Sequence, residues 1–555
     1  MEIRPWVKHY DHDVPSTMQY PDMPVQSMFQ AAVKKLPDKP ALHFFGTDMT
    51  YGQLNAQVLR MANALGRLGI KKGDHVGVHL PNSPQYVIAY LSILYLGAVV
   101  VNINPLYTQD EIKLILVTTK VETLISFDMV MSVVQIVAKE VGLKRIVITK
   151  VTDYINGFGT STAVSLDLDE GWHQFSELIT GSTETQISSI AINPKDTAMI
   201  QFTGGTTGVP KGALLTHANI VAATFCTTIW GAPYIKTIPK DRLTVLCALP
   251  YFHVYGNIVG MNFSFLNCAT QILIPRFQID ELMGIIADFE KIDFFPAVPT
   301  MITAVINHPN APEMNLGNRL GLINSAGAPM PVELIRRVKE MGINFSEGYG
   351  MSESTATGLA NPVMGLKKAG SIGIPLPDID MRLVALENGT EDVRPGDPGE
   401  IILRGPVIMQ GYWNNPDETA VQLRDGWLYT GDIGQMDEDG YTFIVDRKKD
   451  MIIAGGFNIY PREIDEVLYL HPKVSEAVAV GIPDEYRGET VKAFIVLKPG
   501  QTATKEEIIY FCKQKLTAYK VPKQVEFIND LPKSIIGKVL RKILREQEIA
   551  KKKFS

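Results

Sequence analysis

A chain of 555 residues, 46% hydrophobic and 20% charged, is too long for one ordinary core and too apolar for a disordered polymer. Its net charge of −6 is uneven, because from Gln501 onward thirteen Lys/Arg stand against six Asp/Glu. No nucleic-acid module or aromatic interleaving accompanies that basic end, which argues against a nucleic-acid partner.

The N-terminus, Met1-Glu2-Ile3-Arg4-Pro5-Trp6-Val7-Lys8, has no apolar h-region, so no secretory signal is expected. The apolar run 86–101 is interrupted by Ser92 and Gly97 and is shorter than the ~20 residues of a membrane span. It reads as a buried helix ending near Gly97, then a buried strand through Val101. Cys226, Cys247, Cys268 and Cys512 are scattered without Cys-x-x-Cys spacing. They predict a reducing, cytoplasmic setting and no structural metal.

Residues 197–202 are apolar and strand-like, and Thr203-Gly204-Gly205-Thr206-Thr207-Gly208-Val209-Pro210-Lys211-Gly212 follows. Glycines permit close backbone approach, threonines add hydroxyl donors and Lys211 adds charge, which together suit a phosphate at a strand end. Pro210 and Gly212 occupy positions where a Walker A motif needs glycine and a metal-binding hydroxyl, so that motif is excluded.

Further along, Leu249-Pro250-Tyr251-Phe252-His253-Val254-Tyr255-Gly256 closes a strand-like run at 244–248. Runs such as Ile272-Leu273-Ile274 alternate with helical patterns such as 333–339, which predicts α/β with mostly parallel sheet. Asn324-Ser325-Ala326-Gly327-Ala328-Pro329 and Glu347-Gly348-Tyr349-Gly350-Met351-Ser352-Glu353 each follow an apolar run. Turn formers at 387–399 between strand-like 381–384 and 400–403 predict a β-rich subdomain. After Asp446-Arg447-Lys448-Lys449-Asp450 a small domain of about a hundred residues is expected, with a helix beginning near Pro461.

With Tyr429-Thr430-Gly431-Asp432 and Pro532-Lys533-Ser534-Ile535-Ile536-Gly537-Lys538, these motifs resemble, in order and spacing, the adenylate-forming superfamily: acyl-CoA synthetases, aryl-CoA ligases, firefly-type luciferases and nonribosomal-peptide adenylation domains. The resemblance runs from about residue 25 to 545. It implies an α/β fold, with a large N-terminal domain (1–446) of two αβ-sheet subdomains plus a distorted β-barrel. A small mobile α+β domain (447–555) follows, with its hinge near Lys449.

It also implies two half-reactions: a carboxylic acid attacks the α-phosphate of ATP to give acyl-AMP and pyrophosphate, and the thiol of coenzyme A then displaces AMP. A carboxylate of pKa ~4 needs no base for the first, but its repulsion from a triphosphate must be overcome. By resemblance the loop Thr203, Gly204, Gly205, Thr206, Thr207, Gly208 and Lys211 grips the β- and γ-phosphates. Glu353 holds Mg²⁺ and Ser352 lies beside the α-phosphate. Ala326, Gly327, Ala328 and Tyr349 form the adenine platform, Glu347, Gly348 and Gly350 add to the cofactor-binding residues, and Asp432 and Arg447 hold the ribose. Lys538 touches both acid and α-phosphate. His253 lies near the acid, with substrate positioning ranked above base catalysis. After rotation of the small domain, Gly455, Gly456 and Phe457 admit the pantetheine arm.

For the acid, Gly350 stands where acetate-specific members close the pocket with tryptophan. Gly256, Gly260, Gly327 and Ala328 are also small, so an open channel is expected. The order Thr-Gly-Gly-Thr-Thr-Gly and the opening Arg4-Pro5-Trp6 look most like medium- and long-chain fatty acyl-CoA synthetases. Asn257, where some long-chain members carry a gate tryptophan, keeps an aromatic or alicyclic acid as the alternative. A luciferase-like or stand-alone adenylation enzyme is more distant. A monomer or homodimer is expected, and the basic tail permits peripheral membrane contact.

Overall fold

Short apolar strands alternating with capped helices build two largely parallel sheets in the computed structural model, which describes residues 4–155, 170–188, 190–203, 210–454, 457–484, 487–534 and 537–554. In the first sheet the order is Trp172–Gln174, Arg145–Thr149, Thr123–Phe127, His75–Val78, Val99–Asn102, Thr197–Phe202, Gly212–Thr216, parallel except for the last pair. The nine-stranded second sheet has six parallel strands at its centre. They are Asn344–Tyr349, Leu320–Ser325, Ile292–Ala297, Thr244–Cys247, Thr270–Leu273 and Pro40–Phe44. The expected α/β class is found. The run 86–101 divides as its glycine suggests, into a wholly buried helix Pro84–Tyr95 and a strand Val99–Asn102, with Gly97 at φ +65° between them. Among the described residues no helix is long and apolar enough to cross a membrane.

The carboxyl ends of the two sheets are tied together. Asn82, beyond strand His75–Val78, donates to the carbonyls of Cys247 and Leu249 and accepts from the Tyr251 N–H, while Gln201 donates to the Phe252 carbonyl. Buried amides bonded at both ends fix one sheet against the other. The crevice they frame lies where open α/β sheets bind ligands.

An antiparallel sheet of Asp380–Val384, Pro398–Arg404, Trp427–Met436, Leu423–Arg424 and Thr442–Arg447 supplies the expected β-rich part. The residues 452–525 then gather a core of their own around Ile464, Leu468, Ala493 and Ile508. Helix Pro461–Tyr469 starts at the expected proline. The basic tail is helix Arg541–Phe554, and its Leu544 is buried against Val478, Val480 and Phe494. Arg541, Arg545 and Lys551 pair with Asp465, Glu489 and Glu548. Much of the tail's charge is therefore spent inside its own domain.

Candidate active site

Hairpin strands Thr197–Phe202 and Gly212–Thr216 bracket the glycine-threonine loop, whose base is closed by the Thr203 N–H on the Lys211 carbonyl at 2.9 Å. Gly204, Gly205, Thr206, Thr207 and Gly208 lie outside the described residues. Lys211 Nζ stands 2.6 Å from Glu418 Oε2 and 5.4 Å from the centre of the Tyr412 ring. Tyr412 in turn donates to Glu353 Oε1 at 2.7 Å. The hairpin edge is bridged through Ala213 to Tyr412, which is how residues two hundred positions apart converge.

Glu353 sits in a short turn, Ser352–Ser354, after strand Asn344–Tyr349. Burial pushes its carboxyl above the usual range, and the Tyr412 hydroxyl, Arg447 and Lys211 pull it back. Thr355 and Ala356 beyond it adopt left-handed backbone, φ +50° and +64°. Thr355 is β-branched, so this conformation is strained, and its hydroxyl is held by the Val407 carbonyl at 2.7 Å. Nothing in the sequence signals that strain. No group of three His, Cys, Asp or Glu suited to a metal occurs among the described residues. One buried carboxylate is the donor set expected for Mg²⁺ held mainly by nucleotide phosphates, so Glu353 fits that ion.

Asp432 lies within strand Trp427–Met436. Opposite it the register slips between Glu400 and Ile402, so that Thr430, Gly431 and Asp432 bulge, with Gly431 at φ +74°. The bulge presents the Asp432 carboxylate to Tyr349, whose hydroxyl donates at 2.6 Å, and to Arg447 Nε at 3.2 Å. Both ribose candidates and the adenine-platform tyrosine thus form one cluster. Ala326 and Gly348 line the same cleft, while Gly327 has φ +83°.

The Glu347 side chain does not line that cleft. It is buried beneath the Gly370 N–H at 3.2 Å, and burial pushes its carboxyl up to about 8 despite the nearby Arg462.

His253 Nδ1 accepts the Tyr255 N–H at 3.2 Å. In the neutral ring the proton must then be on Nε2. Burial lowers the imidazole to about 4, helped by the charge of Lys538, so at neutral pH His253 is a donor rather than a base. That agrees with a positioning role.

Lys538 is half-buried. Burial lowers its ammonium to about 7, Arg447 adds repulsion, and Asp432 and Asp450 oppose it. Its loop is closed by Lys538 N–H on Ser534 Oγ at 3.1 Å and Ser534 N–H on the Lys538 carbonyl at 2.7 Å. Gly455 and Gly456 lie outside the described residues, between strands Ile452–Ala454 and Phe457–Ile459. Lys449 is exposed in the turn after strand Thr442–Arg447.

Two glycines had been read as room for the acid, and the structure gives them another reason. A Cβ on Gly350 would stand 2.2 Å from the Ala356 carbonyl oxygen, and one on Gly256 would stand 2.3 Å from that of Pro250. Backbone already fills both spaces. Asn257 is likewise no gate, since it is buried and bonded to Asn262 at 2.8 Å and to the Tyr251 carbonyl at 3.4 Å. The cleft that does exist is lined mostly by apolar side chains. It opens beside Tyr255, Asn324 and Tyr349 and runs between apolar walls that include Val259, Phe263, Phe294 and Leu322.

Residues 29–413 match the model of the AMP-binding enzyme family, and 463–538 that of the AMP-binding enzyme C-terminal domain. The chain belongs to the AMP-binding enzyme family. This AMP-binding enzyme is 40% identical to the long-chain-fatty-acid–CoA ligase of Bacillus subtilis, over 98% of each chain. Its fold superposes on the anthranilate CoA ligase AuaEII in complex with anthranoyl-AMP, with TM-score 0.86 and 26% identity over 98% and 99% of the two chains. It also superposes on ATP-bound MatB from Rhodopseudomonas palustris, with TM-score 0.83 and 28% identity over 95% and 99%. Both alignments span the regions matched by the two family models, so this AMP-binding enzyme carries both parts of the adenylate-forming architecture.

Proposed function

We propose that the enzyme joins a medium- or long-chain fatty acid to coenzyme A by way of acyl-AMP, releasing pyrophosphate and AMP. The observation that carries this reading is the cleft. A largely apolar space opens at Tyr349, which bonds to Asp432 and through it meets Arg447, and His253 and Lys538 stand beside that cluster. Small-molecule sites are mostly apolar with a few placed polar groups, and a cleft walled by Val259, Phe263, Phe294 and Leu322 suits an acyl chain. The Bacillus subtilis relative's named activity supports the same choice.

In this reading Asp432, held by Arg447, accepts the ribose hydroxyls, and Tyr349 covers the base. Lys211 and the hydroxyls of its loop contact the phosphates, which requires Lys211 to leave Glu418. His253 donates through Nε2 to the acid's carboxylate and sets its orientation. Lys538 bridges carboxylate and α-phosphate, screening their repulsion as they approach. Mg²⁺ held at Glu353 would neutralise phosphate charge when bound. A thiol then needs the space that the Lys538 loop fills, so the small domain swings about Lys449 and brings Gly455, Gly456 and Phe457 to the site. Because much of the basic tail is internally paired, we place the enzyme in the cytoplasm as a monomer or homodimer, with any membrane contact peripheral.

The test is pyrophosphate release with acids from acetate to palmitate, with benzoate and cyclohexane carboxylate included. Each buried methylene is worth ~0.8 kcal/mol, so kcat/KM should rise about fourfold per carbon until the cleft is full. A maximum at benzoate would move the assignment to aromatic acids. Lys449→Pro should preserve acyl-AMP formation and slow thioester formation at least tenfold; normal thioester synthesis by that variant would remove Lys449 as hinge.

A further inference from the structure

The cleft has a far end that the chemistry does not use. Thr227, Gly231 and Tyr234 line it from helix His217–Ile235, at a spacing that places them on one stripe. That helix is anchored at its start by a reciprocal pair of bonds between Thr216 and Asn219. Asn324 and Tyr349 lie near the carboxyl ends of their strands and mark the nucleotide end. Leu243 directly precedes strand Thr244–Cys247, so Leu243 and its neighbour Tyr234 stand at the amino ends, on the opposite side. Seven residues of helix separate Thr227 from Tyr234, a rise of roughly 10 Å.

We propose that Tyr234 is the distal stop of the acyl cleft and sets the longest chain that the enzyme takes; this rests on the fatty-acid reading above. The phenol reaches its place only because residue 321 is glycine. A Cβ there would stand 1.9 Å from the Tyr234 hydroxyl and 2.5 Å from the Asp293 carbonyl oxygen. The hydroxyl is buried and has no hydrogen-bond partner among the described residues, whereas buried polar groups are normally bonded. Packing alone therefore holds the ring where it is. The residue before it, Pro233, lies inside the helix and lacks the N–H that would tie the last turn to the carbonyl four residues earlier. A chain that reaches the ring meets a bulky group at the end of an otherwise apolar channel. Each methylene short of it gains burial, and one beyond it must displace the ring or fold back.

The experiment measures kcat/KM for pyrophosphate release with saturated acids from hexanoate to eicosanoate, for the wild type, Tyr234→Ala and Tyr234→Trp. Comparing acids within each variant cancels any loss of folded protein. The alanine variant should raise the ratio of the longest acids to the wild-type optimum by about tenfold, and the tryptophan variant should move the optimum to a shorter chain. Should the alanine protein fail to accumulate, the tryptophan shift decides. Ratios unchanged from wild type, or equal loss with every acid, would overturn the stop while leaving the fatty-acid reading intact. A wild type that releases pyrophosphate with none of these acids overturns both.

Discussion

Lys538→Ala is expected to slow acyl-AMP formation by two to three orders of magnitude while changing thioester formation from supplied acyl-AMP by less than about threefold. The size follows from what the ammonium faces. It is half-buried beside Arg447 and His253, and burial has lowered it from its ordinary 10.5 to about 7. A cation held under that penalty is relieved by an anion placed against it, and the approach of a carboxylate to a triphosphate supplies one where the repulsion is greatest. Thioester formation has no such need, because pyrophosphate has left and the loop is out of the way. Single-turnover assays of the two halves make the comparison, and equal loss in both would end the domain-alternation account.

The same residue predicts a pH dependence. The active form is the ammonium, and in the free enzyme it is lost as pH rises through about 7. The kcat/KM for ATP in the first half-reaction should therefore fall above that pH, while kcat holds to higher pH because bound phosphates retain the proton. Docking of the small domain responds in the opposite sense. An undocked lysine binds its proton more tightly than the docked one, so docking without nucleotide is strengthened as pH rises from about 7 toward 10.5. His253, already neutral above about 4, contributes no limb near neutrality.

Sequence alone marked a glycine-threonine loop after a strand pattern, and strands Thr197–Phe202 and Gly212–Thr216 bracket it. It also located the helix at Pro461 and the break at Gly97, where proline and glycine act locally. What it could not supply was partnership across the fold. Tyr412 reaches Glu353, and Glu418 reaches Lys211, only because the antiparallel sheet docks on the hairpin edge. The bulge that presents Asp432, with Gly431 at positive φ, has the local composition of a turn and leaves no separate signal in the sequence. Gly350 and Gly256 were misread for a related reason. Glycine means absence of a Cβ, and whether ligand or backbone fills that space is a tertiary fact.

Gly537→Ala should reproduce part of the loss expected for Lys538→Ala, without touching a charged group. Gly537 has φ +72°, and a Cβ on it would stand 2.0 Å from Thr300 Oγ1, in the first turn of helix Pro299–Asn307 of the large domain. Left-handed backbone costs alanine about 1 kcal/mol in any arrangement. In the proposed domain alternation the contact with Thr300 arises only while the small domain is docked, so it selects against the adenylating state. Together they predict at least a tenfold fall in acyl-AMP formation and near-normal thioester formation from supplied acyl-AMP. The steric share can be separated from the backbone share by a second substitution. Thr300→Gly removes the atoms that the new methyl group would strike, so the double variant should regain most of the docking loss and keep only the left-handed cost. If Thr300→Gly restores nothing to Gly537→Ala, the glycine is required by its own turn, and Thr300 does not determine how deeply Lys538 enters the site.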